Sequence, residues 1–399
     1  MYAVGIDVSK GKSTVAIVTT EGKMIEKPFE ITHDDNGIKV LFQKIREFPK
    51  EEVRFLLEAT SHYHYPVLLQ LIAEKHWVCV ENALVIKKYC DTDLRKVKND
   101  KKDAIKLANY LVEKWFKLKP FEPQNIDRTE LLFLSREYSK YISTVMRLKM
   151  QLNDLIDKTF PGIKNIIGTD TDKKYKLFLE IYEKYWHPSI IMKMKEKDFI
   201  SDIDSIAKKL GHKIGTSIGQ KLYELAPILI STRPNNNITQ IAITTCISVL
   251  KQAILAAESI ISEMDKIASS FKEFEKVKEM KGVGPKTCSR LIAEIGDVRR
   301  FKNASSLIAF CGIDTPPYQS GTFTAMERHI SKRGNKNLRK VGYEIMRNLK
   351  TSRPKKDNSV YLYIVKKEQE GKVKKVAKIA GLNKFLRIYY ARVIEVYKE

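Results

Sequence analysis

The pattern of apolar residues in the first 118 positions restricts the fold more than any other feature of this sequence. Three short apolar or alternating runs, at 2–8, 13–18 and 23–29, are separated by turn-forming segments and predict three consecutive strands. Two further strands, predicted at 53–58 and 77–80, alternate with stretches of helical periodicity. Three strands followed by strand–helix alternation indicate a mixed α/β sheet with helices packed on it.

A second pattern begins after the proline-containing segment KPFEPQ at 119–124. Apolar residues at helical spacing predict two long amphipathic helices at 125–159 and 238–270, with shorter helices between them. Two such helices form either a coiled-coil hairpin, as a stalk or a dimer surface, or the core of an ordinary helical domain. We therefore expect a multidomain α/β plus α protein with domains at 1–118, 125–272 and 276–399, the last of them mainly helical.

The charge of the chain is concentrated in its last third. The formal net charge is +24, and the segment from Lys276 onward contributes +18 of it, with 29 Lys and Arg against 11 Asp and Glu. This basicity predicts a polyanionic partner, with nucleic acid as the first candidate and an anionic membrane surface as the second. We find no signal peptide and no apolar stretch of the roughly 18 residues that a bilayer span needs, so we expect a cytoplasmic protein. The five cysteines form no CxxC pair, which argues against a zinc site or a disulfide framework.

Four carboxylates stand where the predicted elements of the sheet begin or end. Asp7 lies near the end of the first strand and Glu58 ends the fourth, while Asp100 and Asp103 share one face at the start of a helix. Buried together, such groups would repel one another unless a divalent cation lay among them. Two Mg²⁺ ions in such a set can stabilise both the attacking and the leaving oxygen of a phosphodiester. Each residue taken singly is also explained as a strand-end or helix-capping residue.

The motifs GIDVSK at 5–10, LEAT at 57–60 and KNDKKDA at 98–104 resemble the RNase H-like (RuvC-type) domain of the DEDD insertion-sequence transposases. These recombinases are guided by a bridge RNA encoded in their own element. The resemblance implies an RNase H-like mixed sheet in the first domain. It also implies that Asp7, Glu58, Asp100 and Asp103 are catalytic Mg²⁺ ligands.

The segment MKGVGPKTCSRLIAEIGDV at 280–298 places a GVG turn between two predicted helices. Such a turn presents backbone N–H groups and a helix N-terminus to an anion, and it looks like a helix-hairpin-helix motif that grips a nucleic-acid backbone. We therefore predict nucleic-acid contacts at Lys281, Gly282, Gly284 and Lys286. The alternative is a plain connection between two helices with glycines at the helix end.

A serine in a loop of the last domain is a candidate nucleophile. From composition alone Ser320 is best explained as a turn residue, because a serine hydroxyl is a poor nucleophile unless activated. However, the Ser-Gly dipeptide at 320–321, followed by ISKRGN and LRK, resembles the C-terminal domain of the same transposases, where this serine is the proposed nucleophile. The resemblance implies catalysis by Ser320. The basic residues predicted to contact nucleic acid here are Arg328, Lys332, Arg333 and Arg339.

Together these features predict an insertion-sequence transposase that cuts and rejoins DNA with Mg²⁺ and a serine nucleophile. The family suggests a homo-oligomer, a dimer or tetramer bound to guide RNA, in which the serine of one subunit completes the acidic site of another. A RuvC-type hydrolytic endonuclease, such as a Holliday-junction resolvase, would use the same carboxylates without the serine. A non-catalytic nucleic-acid-binding scaffold is a third reading, and a sugar kinase or actin-like ATPase is the weakest because DVSKGKST offers one glycine for phosphate.

Overall fold

A computed structural model describes residues 1–59, 62–90, 99–123, 125–315, 319–320, 323–324 and 329–398. The chain divides into two compact units, Met1–Gln124 and Asn125–Glu399. The second unit therefore contains both the helical region and the C-terminal domain of the sequence prediction.

The first unit is built on a five-stranded sheet in the order β3-β2-β1-β4-β5. Its strands are β1 Tyr2–Val8, β2 Lys12–Thr19, β3 Phe29–Thr32, β4 Val53–Glu58 and β5 Trp77–Glu81. The first three strands pair antiparallel, whereas β1, β4 and β5 run parallel. This sheet confirms the predicted mixed α/β sheet with helices packed on it, and it is consistent with an RNase H-like fold.

One predicted strand was wrong in position. The third strand was expected at 23–29, but regular pairing begins only at Phe29, which lies opposite Val15 of β2. Pro28 comes immediately before it and has no N–H group to donate to a ladder. The preceding segment instead makes a single bridge between Val18 and Met24.

Helices cover both faces of the sheet. They are α1 Asp35–Ile45, α2 Tyr65–Ala73, α3 Ala83–Cys90 and α4 Asp100–Lys114. Helices α1 and α2 share a core with Ile6 and Leu57 on one face. On the other face α4 lies so close to β1 that a Cβ on Gly5 would be 2.3 Å from the carbonyl oxygen of Ala104 and from the backbone nitrogen of Ala108. Only glycine permits this approach.

The described residues of the second unit form helices and one short hairpin. Its helices are α5 Ile126–Thr159, α6 Ile163–Ile167, α7 Asp172–Lys184, α8 Pro188–Ile191, α9 Glu196–Lys209, α10 Gly215–Leu225, α11 Asn237–Ser269, α12 Phe274–Lys278, α13 Pro285–Ile295, α14 Ala304–Cys311, α15 Lys336–Ser352, α16 Ser359–Gln369 and α17 Lys374–Val396. The hairpin strands are β6 Gln319–Ser320 and β7 Phe323–Thr324. The two long helices, α5 and α11, agree with the predicted ranges to within one residue.

These two helices run antiparallel and take part in two cores. Leu131 near the start of α5 shares one core with Met264 near the end of α11 and with helices α12 to α17. Leu152 and Ile247, from the opposite ends, share the other core with helices α6 to α10. By length and composition α11 could cross a membrane. However, α11 packs against α5 and contributes residues to both hydrophobic cores, as a core helix does.

Candidate active site

Two of the predicted catalytic carboxylates lie at one edge of the sheet. Strands β1 and β4 are parallel, and Ile6 lies opposite Leu57, so the next positions along the two strands are Asp7 and Glu58. Because side chains alternate between the faces of a strand, Asp7 lies on the same face as Gly5, which is the face that α4 covers. Both side chains are half-buried.

The start of α4 lies toward the same edge. The guanidinium carbon of Arg54, early in β4, is 4.3 Å from the ring centroid of Trp115, which follows α4. The end of α4 is thus at the edge where the parallel strands begin, and its first turn is toward the edge where they end. That first turn contains Asp100, which is exposed, and Asp103, which is half-buried.

Asn99 caps α4. Its side-chain oxygen accepts a hydrogen bond of 3.0 Å from the backbone N–H of Lys101. The N-cap of α4 is therefore Asn99, so helix capping does not explain Asp100. Asp100 and Asp103 still interact favourably with the positive end of the helix dipole.

The order of the strands and helices brings these residues to one edge of the sheet, but it does not by itself form a metal-binding site. Across the residues that the structure describes, no three His, Cys, Asp or Glu side chains are grouped closely enough to hold a metal ion. Strands β1 and β4 and helix α4 thus bring Asp7, Glu58, Asp100 and Asp103 to one edge of the sheet, and among the described residues their side chains do not form a metal-binding group. The donors are all carboxylate oxygens, the ligand type that Mg²⁺ prefers.

The sheet also places a fifth carboxylate at this edge that the sequence analysis missed. Glu81 ends β5 and lies directly opposite Glu58 in the parallel register. One of its oxygens accepts a hydrogen bond of 2.8 Å from the backbone N–H of Asn82. Burial, and after it the charge of Glu81, raises the pKa of Tyr110 on α4, so Glu81 acts on the face that α4 covers. The sequence offered one sign of this role, which is that Glu81 directly follows the strand predicted at 77–80.

Ser320 lies in a short hairpin of the second unit. Its backbone pairs with Phe323 between β6 and β7. The segments 310–315 and 329–335 flank the hairpin in the sequence and are joined by backbone hydrogen bonds. We call these two segments the stem. In this stem the N–H of Ser331 donates to the Asp314 carbonyl at 2.9 Å, and the N–H of Lys332 donates to the Gly312 carbonyl at 3.0 Å.

The predicted basic contacts around this stem differ in their roles. Lys332 and Arg333 are exposed. The Arg339 guanidinium instead donates from one nitrogen to the carbonyls of Cys311 at 2.8 Å and Gly334 at 3.0 Å, so it holds the stem together. Arg328 lies outside the described residues.

A buried carboxylate anchors the stem to the rest of the unit. Glu294 on α13 accepts hydrogen bonds from Ser135 at 2.9 Å, Arg136 at 3.0 Å and Asn335 at 2.8 Å. Asn335 is also the N-cap of α15. These partners are far apart in sequence, so no local pattern could have revealed the network.

The GVG turn has a packing role as well as an exposed basic side. Gly282 has a φ of +89°, and a Cβ there would lie 2.9 Å from the Ile345 carbonyl oxygen. The N–H of Gly284, the N-cap of α13, donates to the Thr287 hydroxyl at 2.8 Å. Lys286 forms an ion pair of 2.5 Å with Asp172.

Lys281 is the predicted contact of this turn that faces a basic cleft. It is exposed and lines a cavity of about 430 Å³ together with Lys278, Lys355 and Lys356. The short helix α12, the turn and α13 follow one another as a helix-hairpin-helix motif requires. The cleft supports backbone binding at this turn, which remains a prediction.

Comparison with known proteins gives matches over both ends of the chain. Residues 4–161 match the family model of the DEDD transposase domain of IS110 elements, and residues 274–361 match the model of the transposase IS116/IS110/IS902 family. The 44.8 kDa protein of insertion element IS116 from Streptomyces clavuligerus is 22% identical over 352 residues, which are 85% of this chain and 82% of that protein. The 43.6 kDa protein of insertion element IS110 from Streptomyces coelicolor is 20% identical over 258 residues, 65% of this chain and 62% of that protein.

Proposed function

We propose that this chain, which carries both transposase domains of the IS110/IS116 insertion-element family, cuts and rejoins DNA strands with an acidic metal site and a serine nucleophile. The observation that carries the proposal is the sheet register. It sets Asp7 beside Glu58 at the edge toward which α4 points its first turn, with Asp100 and Asp103.

Asp7, Glu58, Asp100 and Asp103 would hold Mg²⁺. When bound, the metal supplies charge stabilisation for the attacking and leaving oxygens of a phosphodiester. Grouped carboxylates repel one another unless a cation lies among them, so a divalent cation is the group that four carboxylates at one edge would suit. The packing of α4 on Gly5 fixes the backbone of α4 against β1, and with it the positions of Asp100 and Asp103 relative to Asp7.

Ser320 would act as the nucleophile. Its hydroxyl oxygen would form a bond to the phosphorus while the bond from phosphorus to the 3′-oxygen breaks. The proton that the serine loses is balanced by the proton that the leaving 3′-oxygen takes up, so that a 3′-hydroxyl is released. The 3′-hydroxyl of a second strand then attacks the phosphoserine, which joins the strands and restores the serine. The two stem segments, which flank the hairpin in the sequence, are joined by backbone hydrogen bonds.

The basic last third and the exposed apolar residues of the long helices support the proposed partners. A net charge of +18 from Lys276 onward suits DNA and a guide RNA. Phe133, Met146 and Met150 on α5 are 58%, 55% and 69% exposed, and Ile241 and Leu255 on α11 are each 55% exposed. Large apolar side chains left in water favour a homo-oligomer formed through these helices, which we propose as a coiled-coil contact.

The test is strand transfer with purified protein, element RNA, element-end and target DNA, and Mg²⁺. We expect Ser320→Ala and Asp7→Asn each to lower the rate on the order of a hundredfold or more. Wild type should leave a covalent protein–DNA adduct on a denaturing gel, and Ser320→Ala none. Mixing the two inactive variants should restore activity if one subunit supplies the serine and another the acidic site.

A matched control separates metal binding from the helix dipole. Asp100→Asn should be inactive, whereas Asp35→Asn removes the same charge from the first turn of α1 and should remain active. Cleavage by Ser320→Ala without an adduct would establish a hydrolytic nuclease instead. Full function of Asp7→Asn would leave only a nucleic-acid-binding scaffold.

A further inference from the structure

A groove of about 710 Å³ lies against the stem of the serine hairpin. Ile313 and Thr315 come from one segment of the stem. The other segment supplies His329, Ile330 and Lys332, and α16 and α17 supply the remaining lining residues. We call this cavity the stem groove. It lies wholly within the second unit and adjoins the segments that carry Ser320.

The stem groove has a cationic rim. Lys332, Lys375, Lys384 and Arg387 line it, and of the described residues that line it none is Asp or Glu. The Lys384 ammonium donates to the Ser359 carbonyl at 3.1 Å and lies 5.2 Å from the Tyr363 ring centroid. The Arg387 Nε donates to the Asn383 side-chain oxygen at 3.1 Å. Two of the four cations are therefore held in place before any ligand arrives.

The remaining lining of the groove is largely apolar. Ile313, Ile330, Val376 and Ile379 line it, and Ala380 leaves room where a larger side chain would project. An apolar surface with several cations and no carboxylate at its border suits a ligand that joins a flat apolar ring to an anion. A nucleotide has this composition, because its base has an apolar face and its phosphate carries the charge.

The backbone conformation of Lys332 is a further sign that the stem groove is a binding site. Its φ of +54° lies in the left-handed region, which a residue with a side chain adopts at a cost. The hydrogen bond from its N–H to the Gly312 carbonyl maintains that conformation, and Lys332 lines the groove. Strain of this kind is concentrated at binding and catalytic positions.

From these features we infer that the stem groove binds one nucleotide of a single nucleic-acid strand, with the base on the apolar surface and the phosphate between the cations. The inference deepens the proposed function and rests on it for the role of the strand, which would be positioned beside the Ser320 hairpin. Either DNA or RNA offers this chemistry, and the test distinguishes them.

The test is photocrosslinking of the full-length protein to single-stranded tetranucleotides that contain 5-iodouracil, one of DNA and one of RNA. We expect a crosslinked peptide that contains Tyr363 or His329, identified by mass spectrometry. Ala380→Phe fills the groove without changing the charge and should lower the crosslinking yield about tenfold, the effect of losing one stacked base. Ala391→Phe, on the exposed side of the same helix, should leave the yield within about twofold.

A second pair of variants tests the cations without touching the core. Lys375→Ala with Arg387→Ala should lower the yield and reduce the salt dependence of binding, whereas Lys374→Ala removes a neighbouring charge outside the groove and should not. Crosslinking to DNA, to RNA or to both supports the inference and shows which kind of nucleic acid the groove binds. A yield that survives both Ala380→Phe and the double variant, or crosslinks only outside the groove, would overturn it. Crosslinking in the groove without strand transfer by wild type would refute the proposed function and leave the inference standing.

Discussion

The acidic edge of the sheet and the stem of the serine hairpin position their groups by different means. At the sheet edge, Asp7 and Glu58 are next to each other because two parallel strands end in register. At the stem, the carbonyls of Gly312 and Asp314 accept hydrogen bonds from the N–H groups of Lys332 and Ser331. The Arg339 guanidinium donates to the carbonyl of Cys311. The first arrangement follows from regular secondary structure, whereas the second depends on individual polar contacts.

Substitutions should therefore act differently in the two regions. The sheet edge depends on close backbone packing, which a single methyl group can disturb. The stem depends on hydrogen bonds to carbonyl oxygens, which the loss of one guanidinium can leave without a partner.

Gly5→Val should have the largest effect on stability. A Cβ at this position lies 2.3 Å from two backbone atoms of α4, so the helix must shift and with it Asp100 and Asp103. We expect a loss of about 1–3 kcal/mol or more in the unfolding free energy of the first unit, together with loss of strand transfer. Urea unfolding followed by circular dichroism measures the former.

The control for Gly5 lies in the other region. A Cβ at Gly284 has no neighbour closer than 4.0 Å, so Gly284→Ala should cost about 1 kcal/mol or less. Equal losses in the two variants would show that close helix packing does not distinguish the sheet edge.

Arg339→Ala should have an intermediate effect. It removes the donor to the Cys311 and Gly334 carbonyls and should destabilise the second unit by about 1–3 kcal/mol. Because the stem carries the Ser320 hairpin, strand transfer should fall as well. Arg333→Ala is the matched control, since its side chain is exposed, and should change stability by about 0.5 kcal/mol or less. If both arginine variants unfold alike, the stem does not depend on Arg339.

Lys286→Ala should have the smallest effect. The Lys286 ammonium lowers the pKa of Asp172, and Asp172 in turn raises the pKa of Lys286. The Asp172 contribution to stability is therefore present at neutral pH and lost as the pH falls below the ordinary aspartate range near about 4. The Lys286 contribution is lost as the pH rises above about 10.

Both side chains of this pair are more than half exposed, so the expected cost at pH 7 is below about 1 kcal/mol. Thermal unfolding of wild type and Lys286→Ala at pH 3 and pH 7 measures it, and the difference between the two proteins should be smaller at pH 3 than at pH 7. A difference that is as large at pH 3 as at pH 7 would assign the effect to something other than the ion pair. A reduced salt slope of nucleic-acid binding would show that Lys286 also contacts phosphate.

Much of the fold could be predicted because it is encoded locally. The bounds of β1 and β4 agree with the predicted ranges, and both long helices agree to within one residue, since period-two and period-3.6 patterns are read directly from the chain. The predicted range of the third strand was wrong because Pro28 has no N–H group to donate to the neighbouring strand, and pairing with β2 begins only at Phe29. Glu81 was missed because its importance depends on which strand lies beside it.

The two parts of the proposed chemistry are legible in the chain alone: carboxylates at element ends in the first unit, and a basic last third around Ser320. Packing then sets Asp7 next to Glu58, directs Arg339 to backbone carbonyls, and pairs Lys286 with Asp172. The stem groove is likewise invisible in the sequence, because its walls come from a hairpin stem and two later helices. The reason is physical: periodicity is a property of neighbouring residues, whereas ion pairs, buried hydrogen bonds and cavities depend on segments that meet only after folding.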